Sequence, residues 1–207
     1  MQRMRSVAAV FVVAAAAFCC VSCSQEKKPR DVVALVAALK DPDALVRGRA
    51  TTDLLLLGEP AVPPLVAMLN DPDPRARHAA ATTLWGLGQK AVSAVPQLAG
   101  ALADADASVR AAAAMALAAM GPLAQPAVPA LIRTLSDSDR NVRLWAVKAL
   151  GEIGPPASDA LPVLDRMHKN DYLGAPVLEA ILKIRAGVEP TPDPHAKHIR
   201  TKPRGWH

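Results

Sequence analysis

From residue 31 onward, apolar residues recur three and four positions apart in runs that close on a glycine and restart after an apolar-proline step. One such stretch begins at Asp104 and places Asp106, Val109-Arg110, Ala113, Leu117, Gly121, Val128-Pro129, Leu131 and Leu135 in order. The order returns from Asp137, with Asp139, Val142-Arg143, Ala146, Leu150, Gly154, Leu161-Pro162 and Leu164. It also returns from Asp71, with Asp73, Arg77, Ala80, Leu84, Gly88, Val95-Pro96, Leu98 and Leu102. The earliest copy starts at Asp41, with Asp43, Val46-Arg47, Ala50, Leu54, Gly58, Val62-Pro63, Leu65 and Leu69. The four starts lie 30, 33 and 33 residues apart, a spacing that defines a tandem array.

Each position has a physical role. Asp43, Asp73, Asp106 and Asp139 are placed to cap a helix N-terminus, where a carboxylate accepts from orphan amides. Arg47, Arg77, Arg110 and Arg143 follow four residues later, above that Asp on the same helix face and within reach of an Asp in the neighbouring unit. The alanines let helices approach closely, and Leu54, Leu84, Leu117 and Leu150 continue the buried stripe one turn on. Gly58, Gly88, Gly121 and Gly154 end the first helix in a left-handed conformation. The apolar-proline step opens a second, antiparallel helix, because proline is accommodated in a first turn. No single hairpin buries its own apolar face, so the fold expected is all-α: an α-solenoid of about four to five hairpins sharing one core.

This pattern resembles the short HEAT-like repeats first grouped with the phycobilisome lyases, over about residues 31–187. The resemblance is specific for fold and poorly specific for function. Half-repeats are expected at both ends. Residues 31–40 align with a second helix, and 170–187 read as a lone first helix whose start Pro176 interrupts. Residues 188–207, rich in proline and charge, read as a disordered basic tail.

Residues 1–22 read as a signal peptide, with a basic start and an apolar stretch too short to span a bilayer comfortably. Cys20-Val21-Ser22-Cys23 resembles a bacterial lipobox, which implies lipidation of Cys23 and a membrane tether over 23–30. The departure is Cys20, where that family usually carries Leu. An ordinary cleaved signal and a retained anchor stay open beside it. The expected address is the bacterial envelope facing the periplasm, with Ser24 favouring the outer membrane.

Composition narrows the chemistry. Cys19, Cys20 and Cys23 are the only cysteines, so the repeats carry neither disulfide nor thiol nucleophile. The net charge of +5 is spread along the chain. Iron-dependent hydroxylases built on such repeats use paired His-Glu dipeptides, whereas here His78 precedes Ala79 and His168 precedes Lys169. His195, His198 and His207 lie in the tail without fixed geometry, so no metal and no cofactor are expected. Trp85 and Trp145 occupy unrelated registers and form no stacking platform for nucleic acid.

The function expected is therefore a monomeric, non-catalytic scaffold that binds another protein on the concave face of its second helices. Gln97, Arg133, Thr134 and Arg166 point outward there, Arg133 and Arg166 at one register and about 10 Å apart. An accessory or regulatory subunit of an envelope enzyme, or a lyase-like activity at an unrecognised site, remains the alternative.

Overall fold

The computed structural model describes residues 31–170 and 173–186. They form a succession of short helices and turns that repeats through the array. Helix α1 (Val32–Ala38) stands alone, and four hairpins follow. These are α2 (Ala44–Leu57) with α3 (Val62–Met68), α4 (Pro74–Leu87) with α5 (Val95–Ala101), α6 (Ala107–Met120) with α7 (Val128–Thr134), and α8 (Arg140–Ile153) with α9 (Leu161–Lys169). Helix α10 (Ala175–Arg185) closes the described stack.

The first helices of the four hairpins, α2, α4, α6 and α8, begin on their expected caps. The carboxylates of Asp43, Asp73, Asp106 and Asp139 accept from the amides of Leu45, Arg75, Ser108 and Asn141 at 2.8–2.9 Å. These four helices also end on their expected glycines, but in a conformation other than the left-handed helical one. Gly121 has φ +58° and ψ −135°, positive in φ yet far from the left-handed helical well. An L-residue with a Cβ is strained there, which is why glycine recurs at this register.

The glycine does not lead straight into the second helix. Short 3₁₀ segments intervene at Glu59–Ala61, Gly88–Ala94, Gly121–Ala127 and Pro155–Ala160. Their alanines, including Ala91, Ala124 and Ala157, are fully buried, so the turns pack as part of the core. The prolines at 63, 96, 129 and 162 then fall in the first turn of the second helix, as expected.

The core is a single seam. Leu54, Leu84, Leu117 and Leu150 of the first helices and Leu65, Leu98, Leu131 and Leu164 of the second are all fully buried. Successive first helices α4, α6, α8 and α10 stack closely because their contact faces are small: Ala80, Ala81, Ala112, Ala113, Ala116, Ala149 and Ala180. At Gly151 a Cβ would lie 3.1 Å from the Ala180 Cα, so α8 and α10 meet nearly backbone to backbone. Residues 107–134 are apolar enough in composition to cross a membrane. They are nevertheless two helices on either side of Gly121, sandwiched between neighbouring hairpins.

One end differs from expectation. Pro176 sits in the first turn of α10, where it lacks no hydrogen bond, and so marks the helix start instead of interrupting it. The signal peptide, Cys23, the tether and the basic tail lie outside the described residues.

Candidate functional site

Two surfaces of the stack carry polar side chains in repeated register: the edge where first helices begin, and the outward side of the second helices. The edge is built around the paired Asp residues that open each unit. In each pair the first carboxylate folds onto the backbone. Asp41, Asp71, Asp104 and Asp137 accept from the amides of Asp43, Asp73, Asp106 and Asp139 at 2.8–3.0 Å. This is an Asx turn, which aims the second Asp at its helix.

The arginines complete the edge. Arg47, Arg77, Arg110 and Arg143 all donate from one terminal nitrogen to the carbonyls of the two residues that begin their own unit, at 2.6–3.2 Å. That anchor leaves the other side of the guanidinium facing the next unit. Arg77 there donates from Nε to Asp104 Oδ2 at 2.7 Å and from its second terminal nitrogen to Oδ1 at 2.8 Å. Arg110 does the same with Asp137, at 2.7 and 2.9 Å. The partner is thus the first Asp of the following unit and not the cap Asp four residues upstream, because the cap carboxylate is already held by its helix amides.

These pairs are largely shielded, their side chains only 11–15% exposed. The hydrogen bonds from Arg77 and Arg110 hold the Asp104 and Asp137 carboxyls below the usual carboxylate value, against a smaller opposing effect of burial. The first boundary is built otherwise. Asp71, which occupies the same register as Asp104 and Asp137, is paired with Lys40 of the loop after α1. The hydrogen bond from Lys40 likewise lowers the Asp71 carboxyl. Lys40 was not singled out by the sequence, since it falls before the first complete unit.

Beside this edge lies a cleft of about 660 Å³, lined in part by Lys40, Arg47, Arg75, His78, Asp73 and Asp106.

On the second helices, Gln97 of α5, Arg133 of α7 and Arg166 of α9 are exposed as expected. Arg133 borders a shallow groove with Ala99, Leu102 and Asp137. Thr134 is a correction: it is 6% exposed, and its hydroxyl donates to the Ala130 carbonyl at 2.9 Å. A threonine on a helix satisfies its hydroxyl on the preceding turn and packs its methyl inward, so Thr134 offers a partner nothing. Asp165, next to Arg166, is held by Arg185 of α10 at 2.8 and 3.0 Å.

The aromatic and histidine side chains are dispersed. Trp85 is 45% exposed, while Trp145 is half-buried under the Lys148 ammonium, 4.6 Å from the ring centre. His78 and His168 are exposed on separate helices. Among the described residues no three His, Cys, Asp or Glu side chains are grouped to hold a metal ion. His195, His198 and His207 lie outside the described residues.

Known proteins agree with this architecture. The family model for HEAT repeats matches residues 32–118 and 95–181, and the chain belongs to that family. No curated protein matches it. Among solved structures, it is similar to the complex of CpcE and CpcF of phycocyanin lyase from Nostoc sp. PCC7120. That match has 23% identity and a TM-score of 0.61, covering 73% of this chain and 96% of the other. A designed armadillo repeat protein in complex with the peptide (KR)4 is 21% identical with a TM-score of 0.56, covering 74% and 81%. An engineered protein is 24% identical with a TM-score of 0.56, covering 75% and 80%. At these identities the likeness is one of fold.

Proposed function

We propose that this chain is a non-catalytic scaffold of the bacterial cell envelope that holds a partner protein along its second helices and is tethered to a membrane through a lipid on Cys23. The observation that carries the reading is the pair Arg133 and Arg166. Both stand exposed at the same register of consecutive hairpins, on helices whose other faces are committed to the core. Two guanidinium groups repeated at the pitch of the array suit an acidic edge of an extended partner, since each forms paired, charge-assisted hydrogen bonds with a carboxylate. Solved structures of this fold include a designed repeat protein in complex with a peptide and the complex of CpcE and CpcF, which supports binding as the mode of action. The N-terminal pattern ending at Cys23 supports export and anchoring.

The test is capture from crosslinked envelope extracts with the full-length chain and with Arg133→Glu/Arg166→Glu. The reading expects a specific protein that the double variant fails to recover while melting unchanged. Equal recovery by both, or stoichiometric metal in the purified protein, overturns it.

A further inference from the structure

The ladder contains its own internal control for a binding site. At Arg77 and Arg110 the guanidinium is used on both sides: one nitrogen on the carbonyls of its own unit, and the opposite fork around the carboxylate of the next. Arg47 is anchored identically, donating to the Asp41 and Pro42 carbonyls at 2.8 Å each. Its fork, however, has no carboxylate among the described residues. The acid that belongs there by register, Asp71, is drawn off by Lys40. The first unit is also three residues shorter than the next two, which changes the offset across this boundary.

Arg47 borders a cavity. This cleft of about 660 Å³ runs past the starts of α2, α4 and α6 and so spans three units. Its walls carry Lys40, Arg75 and His78 as further donors. They also carry Asp73 and Asp106, whose carboxylates are engaged as helix caps, by Arg75 and by Ser108 respectively. A cleft of this length and mixed charge suits an extended peptide with a single acidic residue. A run of acids would meet Asp73 and Asp106, and like charges at that range repel.

We propose that Arg47 is a carboxylate-binding site for one acidic side chain of an extended peptide segment, and that Lys40 keeps it open by holding Asp71 aside. The geometry of recognition is the one that Arg77 and Arg110 already display: two parallel N–H donors on one carboxylate, with the guanidinium pre-oriented by its carbonyl anchors. This site lies on the helix-start edge and is independent of Arg133 and Arg166.

The experiment is a nuclear magnetic resonance titration of the full chain, following the arginine Nε–H signals. The probe is a five-residue peptide with blocked termini and one central Glu, with its Gln counterpart as control. The Arg47 signal is expected to shift saturably with the Glu peptide alone, while the filled forks of Arg77 and Arg110 stay still. Arg47→Lys keeps the charge and removes the fork, and is expected to weaken binding about tenfold with unchanged circular dichroism. Lys40→Ala frees Asp71 to close the fork, and is expected to abolish peptide binding and give Arg47 a signal like that of Arg77. Equal response to the Gln peptide, full affinity in Arg47→Lys, or retained binding in Lys40→Ala overturns the proposal. So does tighter binding of inorganic phosphate or succinate, which reassigns the cleft to a small anion. Arg133→Glu/Arg166→Glu is expected to leave the titration unchanged, so failure here and failure of the scaffold reading are read separately.

Discussion

Arg110 and Asp137 are joined across a repeat boundary by two hydrogen bonds, Nε to Oδ2 at 2.7 Å and the terminal nitrogen to Oδ1 at 2.9 Å. The same arginine ties down the Asp104 and Ala105 carbonyls of its own unit. One side chain therefore fixes a turn and couples it to the next hairpin. Arg110→Ala leaves a shielded carboxylate without its partner and is expected to cost about 1–3 kcal/mol. Arg47→Ala, which breaks only the carbonyl contacts, is expected to cost less. Chemical denaturation of the two variants checks the order.

Acid should loosen these boundaries first. Asp104 and Asp137 titrate below their ordinary value when folded, through the hydrogen bonds from Arg77 and Arg110. Their ionised forms thus favour the folded state at every pH above the unfolded value, and this contribution is lost as pH falls from about 4 through the folded values. Melting temperature is expected to drop over that window. Arg110→Ala should flatten the drop, because it removes the hydrogen bond that is the largest cause of the lowered Asp137 carboxyl.

Gly151 tests the close stacking of α8 on α10. A Cβ there lies 3.1 Å from the Ala180 Cα and 3.2 Å from its Cβ, with backbone that cannot rotate away. Gly151→Val is expected to destabilise by about 1–3 kcal/mol through overpacking. Hydrogen exchange in this variant should show protection lost in Ala175–Arg185, the helix that packs on Arg140–Ile153.

Anchoring has a direct check. Cys23→Ser is expected to move the protein from the membrane fraction to the soluble one, or to stop its processing, with a mass change equal to the missing lipid. Unchanged fractionation and mass would exclude lipidation.

The repeat was legible because its local determinants are stereotyped: an aspartate that caps, a glycine that ends a helix, a proline that starts one. The boundary contacts were less so. Four-residue spacing points Arg77 toward Asp73 on its own helix, but Asp73 is occupied by the Arg75 amide, and stacking brings Asp104 alongside instead. Lys40 is unmarked for a related reason: it takes the acid that register assigns to Arg47, and nothing in its local sequence signals that pairing. The polarity of Thr134 suggests an outward face, while its hydroxyl is satisfied within its own helix. The 3₁₀ segments read as a simple turn from sequence, since alanines such as Ala91 and Ala124 carry no local signal and are fixed by the burial that the fold imposes on them.

Because Arg77 borrows its acid from the unit that follows, and Arg110 from the one after that, the hairpin that begins at Asp104 carries an eye on one side and a hook on the other. The array consequently has a direction, and a duplicated block of residues 104–136 would bring both fittings with it. Lengthening the protein by whole units at that point preserves every connection, whereas an inserted block out of phase with the 33-residue step would leave a hook without an eye.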